Sequence, residues 1–378
     1  MLNPNAIVSP VLRFIPSLDR PPAEMLRSKE GVSIELEGDR QARLDPANPR
    51  SAALLRVLQG LHKQRLPAYL ELDPETSVIT RLLIPHISRV ISVEETRDGS
   101  LGVVLEFSHG RHLLSRDQAD RAELEKQLRE AVESGKPVIL TEDDAHNIID
   151  VRLFVPSPDG PEVPLPPYPP QIPHLEKLPE PWFKELILKV WYWCWWPWWW
   201  FKCKCISKTK AQQVFDAMNV TSCDPLSVPP PCIPFLYPDD GCWARAHEMC
   251  RLMIDMGLSP KKVWIQGSLH VSTANNPSCN VYWGWHVAPT LCVRTSFFST
   301  KTMVIDPSLF TLPVTKADWK GVQGDPGATL TDSTASIYYL WGSVTDPTYS
   351  QTNYYLDYYR LQLLNRAIAF GPPPYACP

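Results

Sequence analysis

Residues 156–181 read "PSPDGPEVPLPPYPPQIPHLEKLPEP" and carry eleven prolines. Proline locks φ and offers no backbone N–H, so such a run sustains neither a helix nor a central strand. The stretch is expected to form a polyproline-II-like spacer, semi-rigid and unable to fold alone. It divides the chain into two parts that differ in composition and in chemistry.

Directly after it comes "PWFKELILKVWYWCWWPWWWFKCKC". Eight of the fourteen tryptophans lie between Trp182 and Trp200. The apolar run from Val190 to Phe201 is shorter than the roughly 20 residues a spanning helix needs, and Pro197 interrupts it. Tryptophan favours the membrane–water interface, and Lys202, Lys204, Lys208 and Lys210 follow. Segment 182–210 is therefore read as a contact surface for a membrane interface, for a partner protein or for this chain's own cleft; left exposed it invites aggregation. "CKC" at 203–205 lacks a second cysteine pair at metal-site spacing.

On the N-terminal side, residues 1–30 are proline-spotted and read as extended or poorly ordered. Residues 31–155 read as one small α+β domain of unknown role. "VSIEL" alternates as a half-buried strand does. "PRSAALLRVLQGLHKQ" has helical spacing at Leu54, Leu55, Leu58 and Leu61. Asp98-Gly99 marks a hairpin between two strand-like runs. "SRDQADRAELEKQLREAVESG" reads as a polar helix stopped at Gly135, and "PVILTE" and "IIDVRLFV" as two further strands. His86, His109 and His112 read as packed or solvated histidines rather than metal ligands.

A formal net charge of −4 argues against nucleic acid as a partner. Hydrophobic residues make up 44% of the chain, enough for a sizeable core. The N-terminus lacks a basic stretch followed by an unbroken apolar run, so no secretory signal is read there. Cysteines crowd the C-terminal half, which suits an oxidising destination. Specialised export reconciles the two; a cytoplasmic location is the alternative.

The chemistry lies in 211–378. In "DDGCWARAHEMC" (239–250) a cysteine opens a predicted helix. Asp239 or Asp240 is the expected N-cap. Trp243, Ala246, Cys250, Met253 and Ile254 fall on one face, and Gly257 is the expected stop. Cys242 then sits in the first turn, where free amides and the helix dipole favour thiolate. Two strand-like runs follow, "VYWGWHVAPTLCV" (281–293) and "KTMVIDPSLF" (301–310). Paired antiparallel about Ser296, they bring His286 opposite Asp306. If the start of the helix meets His286, the three side chains form a nucleophile–base–orienter set. Trp243, Tyr282, Trp283 and Trp285 line a substrate cleft or pack the core.

Taken together, "CIPFLYPDDGCWARAHEMC", "WHVA", "VIDPSLF" and "PVTKADW" resemble the corresponding motifs of bacterial protein-glutaminases, which deamidate glutamine side chains in intact proteins. The resemblance spans about 212–365. It implies a papain- and transglutaminase-like α+β fold, a cysteine-bearing helix on an antiparallel sheet. It implies Cys242 as nucleophile, His286 as general base and acid, and Asp306 as orienter, with a disulfide between Cys223 and Cys232. The implied substrate is a protein with an accessible glutamine, and the implied reaction runs through a Cys thioester with neither metal nor organic cofactor. The family commonly has tyrosine where Trp243 stands and an aliphatic residue where Pro289 stands, so the strand is expected to end at Pro289 or lie at an edge. The same three groups also serve transglutaminases and cysteine peptidases, and a non-catalytic scaffold keeps the fold alone.

Overall fold

The computed structural model describes residues 5–17, 22–26, 31–155 and 205–377. The proline spacer at 156–181 and all but the last six residues of the tryptophan-rich segment lie outside the described residues.

The N-terminal half runs β1 (Ala6–Ile15), α1 (Pro22–Met25), β2 (Val32–Leu36), β3 (Arg40–Leu44), α2 (Ser51–Gln64), β4 (Pro67–Leu72), β5 (Ile79–Leu83), β6 (His86–Glu95), β7 (Leu101–Leu105), β8 (His112–Leu114), α3 (Arg121–Ser134), β9 (Pro137–Glu142) and β10 (Ile148–Leu153). It forms two five-stranded sheets, ordered β3-β2-β1-β4-β5 and β10-β9-β6-β7-β8. The expectation that 1–30 lies outside the domain fails. Strand β1 is the centre of the first sheet, pairing with β2 on one side and β4 on the other; its Val8, Val11 and Phe14 are buried. Pro10 disguises a strand whose buried apolar residues fall every third position and so blur the alternation. Helix α3 packs Leu124, Leu128 and Ala131 against the second sheet and stops at Gly135 with φ 63°.

The C-terminal half runs β11 (Ile206–Ser207), α4 (Lys208–Val220), α5 (Cys242–Asp255), β12 (Lys261–Ser272), β13 (Asn280–Arg294), β14 (Thr300–Val304), β15 (Val314–Thr315), α6 (Lys316–Gly321), β16 (Thr329–Thr334), β17 (Ile337–Tyr339), β18 (Val344–Thr345) and α7 (Ser350–Phe370). Its sheet is ordered β15-β14-β13-β12-β16, with β11 beside β13. Helix and antiparallel sheet thus mix as the α+β reading expects. Cys223 joins Cys232, Cys205 joins Cys292, and Cys279 joins Cys377. No helix among the described residues is long and apolar enough to cross a membrane.

Two details of the strand pair differ from the sequence reading. Thr290 faces Val304 and Arg294 faces Thr300, so the register is centred on Phe297 rather than Ser296. Nor does Pro289 end β13, which continues to Arg294 between two neighbours. The proline's carbonyl accepts from the Ile305 amide at 2.9 Å, just past the end of β14. Its missing N–H therefore costs one bond at a strand terminus, where a proline is tolerated.

One apolar core runs through both halves. Helices α2 and α7 pack so closely that a Cβ on Gly60 would collide with the Leu361 side chain. Along α7, Asn365, Gln362 and Tyr358 donate to the backbone carbonyls of Leu82, Ile84 and Pro85 at 3.0–3.1 Å.

Candidate active site

Helix α5 presents Cys242 at its first residue, as the sequence predicts, but neither aspartate caps it. The N-cap is Gly241, at φ 79° with no side-chain cap. A Cβ there would strike the Tyr359 ring, so only glycine meets both the backbone conformation and the space. Asp240 accepts from the Gly241 amide at 2.9 Å. Asp239 turns away to Arg366, which donates to it at 2.5 Å. Ile254 is half-exposed rather than on the packed face, and Gly257 follows the helix at φ 76°.

Strand β13 carries His286, and Asp306 lies two residues beyond β14. The imidazole Nε2 and the Asp306 Oδ2 are 2.9 Å apart, with both side chains buried. The indole Nε1 of Trp319, on α6, donates to the same oxygen at 2.8 Å. A carboxylate that accepts from both fixes the proton of His286 on Nε2 and leaves Nδ1 bare. Nδ1 is buried and has no hydrogen-bond partner among the described residues. One nitrogen of His286 and the Cys242 sulfur lie within 4.8 Å of each other, and the Val287 amide donates to the sulfur. Burial opposes ionisation of Asp306, but the charge of His286 and the two donors hold it below the usual carboxylate range.

A further side chain joins the site, and it comes from the N-terminal half. Residues 109–111 lie against β13: the Gly284 amide donates to the His109 carbonyl at 2.9 Å, and the Arg111 amide to Tyr282 O at 3.2 Å. His109 consequently stands beside the sulfur, its ring stacked 5.8 Å from that of His286. The expected thiolate is not what this closed site produces. Burial drives the Cys242 thiol well above its ordinary value, and the nearby Arg245 only partly offsets it. Burial likewise lowers the pKa of His109 well below 6.5.

Of the four aromatics, Trp243, Trp283 and Trp285 are buried and Tyr282 is half-exposed. Trp283 stacks on His286 at 4.6 Å, and Trp243 donates to the Tyr338 hydroxyl at 3.0 Å. Tyr282 stacks on His270 instead, at 4.5 Å.

Part of this sequence is similar to known proteins. Residues 211–323 match a family model described as glutaminase. A solved protein-glutaminase is 30% identical, covering 40% of this chain and 85% of its own, with a TM-score of 0.36. The chain belongs to the protein-glutaminase family. The identity and the matched model carry that conclusion, not the superposition. A second solved protein-glutaminase, from Chryseobacterium proteolyticum, is also 30% identical over 39% of this chain and 84% of its own, at TM-score 0.36. A pro-protein-glutaminase is 22% identical over 78% of this chain and 97% of its own, at TM-score 0.46. No curated protein matches.

Three residues of this protein-glutaminase family member escape a reading of the sequence. Trp319 closes the motif "PVTKADW", but nothing local says that its indole reaches Asp306. His109 looks merely packed. Glu142 ends a strand and looks solvated, yet it is the hub of a buried cluster. His86 Nε2, His112 Nδ1 and His146 Nδ1 reach its two oxygens at 3.1, 2.5 and 2.7 Å. His146 Nε2 also reaches Asp239 at 3.3 Å. Glu142, His112 and His146 have the residue types of a metal site, but their facing atoms already share protons.

Proposed function

We propose that the chain hydrolyses the side-chain amide of protein-bound glutamine, releasing ammonia, with Cys242 as nucleophile, His286 as base and acid, and Asp306 as orienter. The single observation that supports this reading most is the bare Nδ1 of His286, held toward a helix-first cysteine by a carboxylate on its other nitrogen. A papain- and transglutaminase-like mechanism follows. The thiol passes its proton to His286 Nδ1 as sulfur attacks the carboxamide carbon. Negative charge gathers on the amide oxygen, where backbone amides at the start of α5, including that of Cys242, are suited to receive it. The imidazolium protonates the departing nitrogen, ammonia leaves, and a thioester remains. Water then gives a proton to His286 and attacks the thioester, yielding glutamate and free thiol.

The form described is a closed one. Cys242 is 1% exposed, and residues 109–111 occupy the strand edge beside it, where a substrate backbone would pair. We infer that the N-terminal half is an inhibitory region and that activity follows its removal. Trp243, Trp283 and Trp285 then act as walls that hold His286 and the nucleophile helix. Tyr282, on the same edge and half-exposed, is the aromatic left to touch substrate.

The test is ammonia release from a glutamine-rich protein by the full chain before and after limited proteolysis within 156–204. Release appears after cleavage and is absent in Cys242→Ser. Amine incorporation without ammonia release supports transfer instead, substrate chain cleavage supports a peptidase, and silence from a folded, cleaved chain supports a scaffold.

A further inference from the structure

We propose that His109, Cys242 and His286 form a binding site for a thiophilic divalent cation of the zinc class, built across the two halves and complete only while they are docked.

Two lone pairs at this site are unmatched. His109 Nδ1 lies 3.0 Å from Trp285 O, a pure acceptor, so this nitrogen carries the proton and Nε2 is bare. The same logic at Asp306 leaves His286 Nδ1 bare. Both bare nitrogens are buried and without a hydrogen-bond partner among the described residues. One nitrogen from each ring and the Cys242 sulfur lie within 4.8 Å of one another. A thiol has one proton and can satisfy only one of the two. The surplus is made worse by Asp240, whose Oδ1 stands 3.4 Å from His109 Nε2 and whose Oδ2 is buried without a partner. Two lone pairs, a sulfur and a carboxylate edge therefore converge in a dry space, an arrangement that a cation relieves.

The surroundings are those of a metal site. Ligating imidazoles donate their other N–H to a backbone carbonyl or a carboxylate, which fixes the ring and raises its basicity; here those partners are Trp285 O and Asp306. Two neutral imidazoles and a thiolate make a donor set that zinc takes up at bond lengths of about 2.0–2.3 Å, with a fourth position free. Side-chain shifts of about 1 Å bring the atoms from their present spacing to that geometry. The formal charges also suit a dication. Cys242 as thiolate, Asp240 and Asp306 give −3, and Arg245, which donates to Tyr237 O and to Asp240 O, returns +1. The sum is −2. Binding expels the thiol proton to solvent and changes no oxidation state.

This inference uses Cys242 and His286 only as ligands, so it stands or falls apart from deamidation. Its test is a titration of the full-length, chelator-stripped chain with cobalt(II) as the probe. One equivalent is expected to produce a thiolate-to-cobalt charge-transfer band and the intense visible bands of four-coordinate cobalt, both erased by zinc. Cys242→Ala should abolish the charge-transfer band, Cys250→Ala should keep it, and His109→Gln should weaken binding at least tenfold. Absence of binding, a band that survives in Cys242→Ala, or unchanged affinity in His109→Gln overturns the proposal. A measurement that needs no variant runs beside it: zinc X-ray absorption of the loaded wild-type chain must show one sulfur and two imidazole nitrogens, and any other ligand set overturns it too.

Discussion

Two buried histidine clusters lie where the N-terminal half meets the C-terminal half, and they are built on opposite rules. Around Glu142 every facing atom has a complement: two carboxylate oxygens receive three imidazoles, and Asp239 receives the far side of His146. Around Cys242 the complement is missing: two imidazole nitrogens face one thiol with nothing further to bond. The saturated cluster holds protons tightly and gains from staying as it is. The unsaturated one carries unspent donor capacity, which a nucleophilic reaction or a cation can use. Satisfied polar networks rigidify a fold, whereas an unpaired buried polar group signals function or an absent partner. Histidine content does not distinguish the two; the count of partners does.

The sharpest way to break this contrast is to spoil the orientation of the unsaturated site without emptying it. Asp306→Asn keeps the shape but presents an amide to His286, so the imidazole loses the carboxylate that pins its proton on Nε2. Activity of the proteolytically activated chain should fall about 10⁴-fold, the cost of a wrong tautomer in a triad. Steady-state ammonia release measures it. A loss below tenfold would mean that Asp306 is structural and that the order seen at His286 serves packing only.

The saturated cluster should answer in stability instead. Glu142→Gln removes the one charge that His86, His112 and His146 share, and leaves His146 facing Asp239 alone. Breaking a buried ion pair by deleting one partner costs about 3–5 kcal/mol. The urea midpoint of the full chain should drop accordingly. A midpoint that stays where it is would show that the cluster is not the clasp between the halves. A smaller effect of the same kind tests the link between indole and carboxylate: Trp319→Phe deletes one charge-assisted donor to Asp306, worth about 1.5–3 kcal/mol. Turnover should fall roughly 10- to 100-fold on that basis.

The unsaturated site is largely legible in sequence and the saturated one is not, for a physical reason. Cys242, His286 and Asp306 announce themselves locally, through a helix start after Gly241 and two strands joined by a short polar turn. Even so, the sequence places the centre of the turn one residue off and the pairing partners two off, because a tight bridge such as 295–299 fixes strand pairing by its own bonds, Thr295 N to Ser299 O at 2.8 Å, which composition does not reveal. The aspartates pass for caps because their true partners lie far along the chain: Arg366 is 127 residues from Asp239, and His109 is 131 from Asp240. His109, Glu142 and His146 acquire their roles only when the halves dock. No periodicity in 31–155 encodes a surface that another domain will cover. Strand β1 shows the converse, an element hidden by Pro10 although its neighbour β2 is plain.

The smallest effect concerns pH, and its sign follows from the saturated cluster. Burial disfavours the charged form of His146, but Glu142 and Asp239 outweigh it and raise its pKa well above 6.5. Burial also disfavours the ionised form of Glu142, yet His146 and His112 hold its pKa well below 4.5. A group whose folded pKa is raised contributes stability fully below its unfolded value and loses it as the pH climbs through the folded one. His146 therefore supports docking in full below about 6.5 and withdraws that support in alkali. Glu142 works the other way, supporting docking above about 4.5 and failing only in stronger acid. Around the cluster, His86, His112, Asp239, Arg366 and Asp144 are charged or titratable neighbours, with Tyr237, Tyr358 and His109 beside them; Arg366 stays protonated throughout because Asp239 raises its pKa well above the ordinary value despite burial. The urea midpoint should be flat between about pH 4.5 and 6.5 and decline gently on the alkaline side. His146→Gln should remove most of that alkaline decline while lowering the plateau. An alkaline slope identical in wild type and His146→Gln would show that the decline belongs to the Cys242 cluster, and that this interface stores its protons in the unsaturated site rather than the saturated one.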